Sequence, residues 1–204
     1  MKQSITRRFD DNLERVRGLV ALYESLGTTG SGRRPTNVSD VLRAAVVMLH
    51  ATLEDLIRSL LEWRLPTASS KVLADIPLPG KVPGKKHDLG DVAEFRGRSV
   101  DDLIRDAVQT HLSQSNYNDM GQVVSALKSV GLRSDAIQDE DKTRLIAMMK
   151  RRHWIVHRLD VNPTRGSGQH AAQSLGVQKV LLWLEAVNRV GRCVLDQLDG
   201  TEEA

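Results

Sequence analysis

One cysteine, Cys193, is all that the 204 residues contain. A single thiol excludes an internal disulfide framework and a thiolate zinc site, and it suits a reducing compartment. No apolar run reaches the length of a membrane span. The segment from Met1 to Asp10 is polar, carries Lys2, Arg7 and Arg8, and has no apolar stretch behind them of the kind a secretory leader needs. Together these absences predict a soluble, cytoplasmic chain. Aromatic residues make up only 3% of the sequence and no segment alternates apolar with polar side chains, so no strand pattern competes with helix. Two enzyme templates are missing as well: there is no Gly-rich phosphate loop ahead of a helix and no Gly-x-Ser-x-Gly elbow. Gly166-Ser167-Gly168 has no strand before it and reads as a flexible connection.

What is present is moderately basic and strongly helical. Lys and Arg number 29 against 26 acids, a formal charge of +3, which suggests a polyanionic partner without demanding one. Hydrophobic residues at 40% are enough for one core, and the length predicts a single domain spanning residues 1–204. Ile5, Phe9, Leu13, Val16, Val20 and Tyr23 recur every three or four positions, predicting a first helix that ends near Gly27. After a Gly-, Thr- and Arg-rich segment with Pro35, Ser39 is placed to cap a long helix to about Arg64, apolar around much of its circumference and stopped by Pro66. Pro77, Pro79, Pro83, Gly80 and Gly84 then predict a surface loop over about 66–87. Ser99 with Asp102, and Asp119 with Gln122, are N-cap signals for helices to about Leu112 and Val130. Asp139 and Glu140 open a helix to about Leu159. A loop with Pro163, Gly166 and Gly168 follows, and a last helix runs from about Ala171 to Leu198. The packing solution for such elements is an all-α, up-and-down bundle with additional short helices.

The chemistry is concentrated in Lys150-Arg151-Arg152-His153-Trp154-Ile155-Val156-His157-Arg158. For Lys150, Arg151 and Arg158, a solvated basic face and an RNA phosphate contact are both open readings. Arg152 falls near the middle of an apolar stripe formed by Leu145, Met148, Met149, Ile155, Val156 and Leu159. A guanidinium there needs an acid, or a cleft that admits substrate and water. Glu54 lies in the row Val47, His50, Glu54, Ile57 and Leu61 of the long helix and is the candidate partner, whether for catalysis or only to fix helix register. His50 reads as a hydrogen-bonded core histidine. His157 follows Arg152 by about 140° and about 7.5 Å along the helix, so the two flank a shared edge where Arg152 can hold a phosphodiester and His157 can exchange protons. His153 and His157 also have the spacing of a two-histidine metal site. No Glu follows His153, no cysteine is near, and His170 lies in or beyond the loop, so no metal and no cofactor is expected.

At these residues the sequence resembles the HEPN superfamily, whose ribonuclease members carry Arg, a polar residue, three further residues and His. Here that pattern is Arg152-His153-Trp154-Ile155-Val156-His157, late in a helix and ahead of a polar loop and a last amphipathic helix, Gln173 to Leu198. His50-Ala51-Thr52-Leu53-Glu54-Asp55 and Phe95-Arg96-Gly97-Arg98-Ser99-Val100-Asp101-Asp102-Leu103-Ile104 look like segments of the RiboL-PSP-related branch, so the resemblance covers about residues 40 to 198. It implies a HEPN-like bundle and a metal-independent endoribonuclease in which Arg152 and His157 act at a composite cleft of a homodimer, with His153 at the motif's polar position. It also implies a toxin or phage-defence effector with RNA as substrate and an antitoxin or defence-system protein as a further partner. The alternative is a non-catalytic module that binds RNA or nucleotide and acts as a scaffold. Leu159 stands where toxins of a related branch carry a tyrosine that is modified, so control of that kind is not expected.

Overall fold

Local signals account for most of the helices in the computed structural model, which describes residues 1–26, 36–81, 88–161 and 172–198. The first helix, α1, is Lys2–Leu26, and its buried side chains are Ile5, Phe9, Leu13, Val16, Val20 and Tyr23, the six that the 3.6-residue repeat singles out. The second, α2, is Thr36–Arg64. It begins three residues before the expected cap Ser39, which is therefore an ordinary helical position. At its far end Pro66 does not simply stop the chain, because the helix tightens into a 3₁₀ turn, Leu65–Thr67, with proline in the first turn where its missing N–H costs nothing. The expected loop then holds a short helix, α3, Ser70–Leu73, and turns as far as Lys81. Pro83, Gly84 and His87 lie outside the described residues.

Two of the next three helices carry full capping boxes. Asp88 and Asp91 cap α4, Leu89–Ala93, which the sequence reading lacked, and Asp119 and Gln122 cap α6, Met120–Ser129. Between them α5, Val100–Gln114, starts on the Ser99 side chain, which accepts from the Asp102 N–H. The last two helices are α7, Asp139–Arg158, and α8, Val177–Asp196. Residues 172–176 are extended rather than helical, and Ala172 forms an isolated bridge with Val161. The expected start at Ala171, the loop residues Pro163, Gly166, Ser167 and Gly168, and the segment 27–35 are outside the described residues.

The protein is an all-α packed bundle of eight helices among the described residues, with no strand there. Its centre is α2, which packs against α1, α5, α6, α7 and α8, and this explains why α2 is apolar on so many sides. Where α1 meets α8, Gly191 lets the Phe9 ring lie directly on the helix backbone; a Cβ at that position would stand 2.2 Å from the ring. No described helix is long and apolar enough to cross a membrane.

Candidate functional site

The carboxy-terminal end of α7 is fixed by a buried carboxylate that the sequence reading did not single out. Helix α7 ends with Leu159 and Asp160 both in the left-handed region, φ 48° and 58°, and the Asp160 N–H reaches back to the Trp154 carbonyl at 3.1 Å. Two consecutive non-glycine residues there need an outside force to hold them. Asp160, 0% exposed, supplies it. Its Oδ2 accepts from Arg43 Nε of α2 at 2.9 Å and from Arg151 Nη2 at 2.6 Å. Its backbone carbonyl accepts from the Gln173 N–H at 2.8 Å, and the same two arginines donate to the Gln173 carbonyl. This knot ties the start of α2, the end of α7 and the extended segment before α8 into one unit. Arg151, one of the expected phosphate contacts, is therefore committed to the interior.

Arg152, the next residue, faces elsewhere. Its Nη1 donates to Asn118 Oδ1 at 3.2 Å, while its Nε is out of solvent and without a hydrogen-bond partner. The side chain lines a cleft of about 270 Å³ between α7 and the start of α6, together with Lys150, His153, Met149, Ile146 and the Asn118-Asp119-Met120 turn. Lys150 and His153 are exposed. His153 and His157 stand one turn apart with ring centroids 4.6 Å from each other, tilted by 45°. Ile146, Lys150, His153 and His157 thus form one exposed strip at spacings of four, three and four along α7. His157 itself is exposed and is not among the residues lining the cleft.

Behind this edge lies a second polar group. His50 is 1% exposed, and burial first, then the Arg152 charge, push its pKa below the ordinary 6.5; Glu54 and the Tyr117 backbone oppose them. Glu54 does not pair with Arg152, which corrects the expectation. Its Oε1 accepts from Arg58 Nη2 at 3.2 Å, and its Oε2 approaches His50 Nδ1 at 3.8 Å. Arg58 continues to the Ser115 carbonyl at 3.1 Å and to the Leu112 carbonyl, which also accepts from the Ser115 N–H, and so caps the end of α5. The row through Glu54 turns toward α5, whereas the acceptor that reaches Arg152 comes from the turn before α6. Burial also raises the Tyr117 pKa, with Arg58 opposing it. Among the candidates, then, Arg152, His153 and Lys150 share a cleft, His157 adjoins it through His153, and Arg151 and Glu54 serve other partners.

The apolar stripe holds only for its first part. Leu145, Met148 and Met149 are buried and Ile155 is half-buried, but Val156 and Leu159 are exposed, Leu159 by 80%. Trp154 is half-buried with the exposed Arg158 guanidinium 5.9 Å from its ring centre, so part of its surface is covered within the chain. Two site residues were missed, Asp160 and Asn118. The shared face of His153 and His157 was visible in the spacing; the extension of that strip to Lys150 and Ile146 and the contacts of Asp160 and Asn118 were not. No protein-family model, curated protein or solved structure matches the chain.

Proposed function

We propose that the chain is a metal-independent endoribonuclease with a HEPN-like, up-and-down bundle, acting in the cytoplasm on single-stranded RNA. The observation that carries this reading is the pair of imidazoles in contact at a cleft edge, beside an arginine of the cleft lining whose guanidinium makes a single hydrogen bond. Cleavage at such an edge needs few groups. The 2′-hydroxyl attacks the adjacent phosphorus while His157 takes its proton, the bond from phosphorus to the 5′-oxygen breaks, and a second imidazole protonates that oxygen. The products are a 2′,3′-cyclic phosphate and a 5′-hydroxyl end. Arg152 stabilises the charge on the phosphorane, Lys150 and Arg158 hold flanking phosphates, and His153 orients His157.

The second imidazole is the partner protomer's copy of His157 in a symmetric homodimer. Val156 and Leu159 support this, since they leave apolar surface open near His157 where a second copy can cover it. A toxin or phage-defence role, with an inhibitory partner protein, follows from the same reading.

Labelled single-stranded RNA and the matching DNA, each incubated with purified protein in excess chelator, test the reading. RNA cleavage to cyclic phosphate ends, no DNA cleavage, and at least about 10²-fold loss in His157→Ala are expected. Cleavage that His157→Ala leaves unchanged overturns it. A non-catalytic RNA-binding or scaffold module is the second reading, favoured by the position of His157 outside the cleft lining. It predicts RNA binding that depends on Arg152 without any cut product.

A further inference from the structure

The cleft beside Arg152 is built for more than a phosphate. Its floor is apolar, with Met120 and Met149 below and Ile146 at the side, and Ile146 is 53% exposed although it stands one turn from Lys150 and two from His153. An open aliphatic and two thioethers beside an arginine, a lysine and an imidazole make a site for a ligand that is flat and apolar on one part and anionic on the next. A nucleotide has that composition. At about 270 Å³ the cleft is smaller than the roughly 300–1,000 Å³ typical of pockets that enclose a whole drug-sized ligand, so it suits one base with the sugar-phosphate outside.

The rim above that floor carries both kinds of hydrogen-bonding group. Asn118 Oδ1 is used by Arg152, which orients the side chain and leaves its amide N–H donors unpaired. Asp119 Oδ1 accepts from the Gln122 N–H as the cap of α6, while Oδ2 has no partner. Both side chains are exposed, so a base edge can reach them. A carboxylate with Oδ2 free and a lone pair left on Oδ1 can still accept two donors, and beside a free amide donor that pattern matches guanine best. Guanine offers two adjacent donors, N1–H and the 2-amino group, for Asp119, and the O6 acceptor for Asn118. Adenine and cytosine each bring only one amino group, and uracil a single imino N–H.

We infer that this cleft is a guanine-binding slot, in which the base of single-stranded RNA lies on Met120, Met149 and Ile146 and is read by Asp119 and Asn118. The inference rests on the RNA reading above and deepens it. The phosphate attached to that base then falls beside Arg152 and His153, and the His153 to His157 contact leads from the slot to the proton-transfer edge. Cleavage next to guanosine follows.

The test is titration of the full chain with each of the four nucleoside 3′-monophosphates, followed by NMR, together with mapping of cut sites in an unstructured RNA. Asp119→Asn removes the carboxylate charge yet keeps a good helix cap, and Ile146→Asp puts a charge on the floor at an exposed position where the fold tolerates it. Guanosine monophosphate should bind about tenfold tighter than the other three. Asp119→Asn should shrink that margin to less than about threefold, and Ile146→Asp should abolish binding. Equal binding of all four nucleotides, or shifts that inorganic phosphate alone reproduces, overturns the slot. If guanosine monophosphate binds as stated and no RNA is cut, the slot stands and the cleavage reading falls. If RNA is cut without base preference and Asp119→Asn cuts like the parent, the slot falls and cleavage stands.

Discussion

Arg151 and Arg152 are neighbours in sequence with the same charge, yet they belong to regions of opposite character. Arg151 has four hydrogen bonds, to Asp160, to the side chain and carbonyl of Gln173 and to the Ser174 carbonyl, inside a knot whose carboxylate is wholly buried. Arg152 has one, to an exposed asparagine, at the wall of an open cleft, while the Nε of each arginine is out of solvent and without a partner. The first arrangement consumes donors to hold two strained backbone residues; the second leaves donors for something that is not part of the chain. Consecutive helical positions differ by 100°, which is enough to send one guanidinium inward and the next to an edge. A basic run read as a unit conceals that division.

The sharpest way to break the comparison is to remove the anion from the knot. Asp160→Ala leaves Arg151 without a counter-charge and Arg43 with only the exposed Asp40, and it takes away the side chain that holds the left-handed turn, so a loss of about 3–5 kcal/mol in urea denaturation is expected. Asp160→Asn, which tolerates that backbone conformation and keeps an acceptor, should lose less. A loss below about 1 kcal/mol for Asp160→Ala would mean that the knot does not organise this end of the bundle.

Next comes the split between the two arginines themselves. Arg152→Ala and His157→Ala should each lower RNA cleavage by at least about 10²-fold while changing stability by less than about 1 kcal/mol, because neither side chain supports the fold with more than one exposed contact. Arg151→Ala should do the reverse at first order, costing about 3 kcal/mol of stability as it strips one of two cations from the buried Asp160 carboxylate and a donor from the Gln173 and Ser174 carbonyls. If Arg152→Ala unfolds the protein, the edge is structural too and the contrast is lost.

A smaller effect separates the two regions by pH. His50 is buried beside Arg152 with its pKa lowered, so below 6.5 the unfolded chain takes up a proton that the folded chain refuses. The stability that depends on keeping His50 neutral is therefore complete above 6.5 and is lost as pH falls from there toward the folded-state value. Arg152, Glu54 and the Tyr117 backbone are the groups that set it. Denaturation midpoints measured over this range should fall with acidity in the parent and flatten in His50→Gln. An equal slope in both would assign the pH dependence elsewhere.

The smallest effect concerns Glu54. Its pairing with Arg58 within one helix is worth about 0.3–0.5 kcal/mol, and Arg58 keeps its carbonyl contacts without it. Glu54→Gln should cost no more than that in the same denaturation experiment. A loss of several kcal/mol would show that Glu54 stabilises a buried cation after all.

How much was legible follows from the range of the interactions involved. By itself the sequence determined the core face of α1 down to each of its six residues, the caps at Ser99 and Asp119, the limits of α7, and the edge on which His153 and His157 stand. All of these rest on contacts within about one turn, where the 3.6-residue repeat and the free N–H groups of a helix start apply whatever the rest of the chain does. The late start of α8, the knot at Asp160 and the Asn118 contact of Arg152 were decided only by tertiary structure. Arg43 and Asp160 are 117 positions apart, and Arg152 and Asn118 are 34 apart, so no local spacing encodes either meeting. The packing of α7 against α2 and α8 fixes which way each side chain of the basic run points, and with it which arginine is left free for a phosphate.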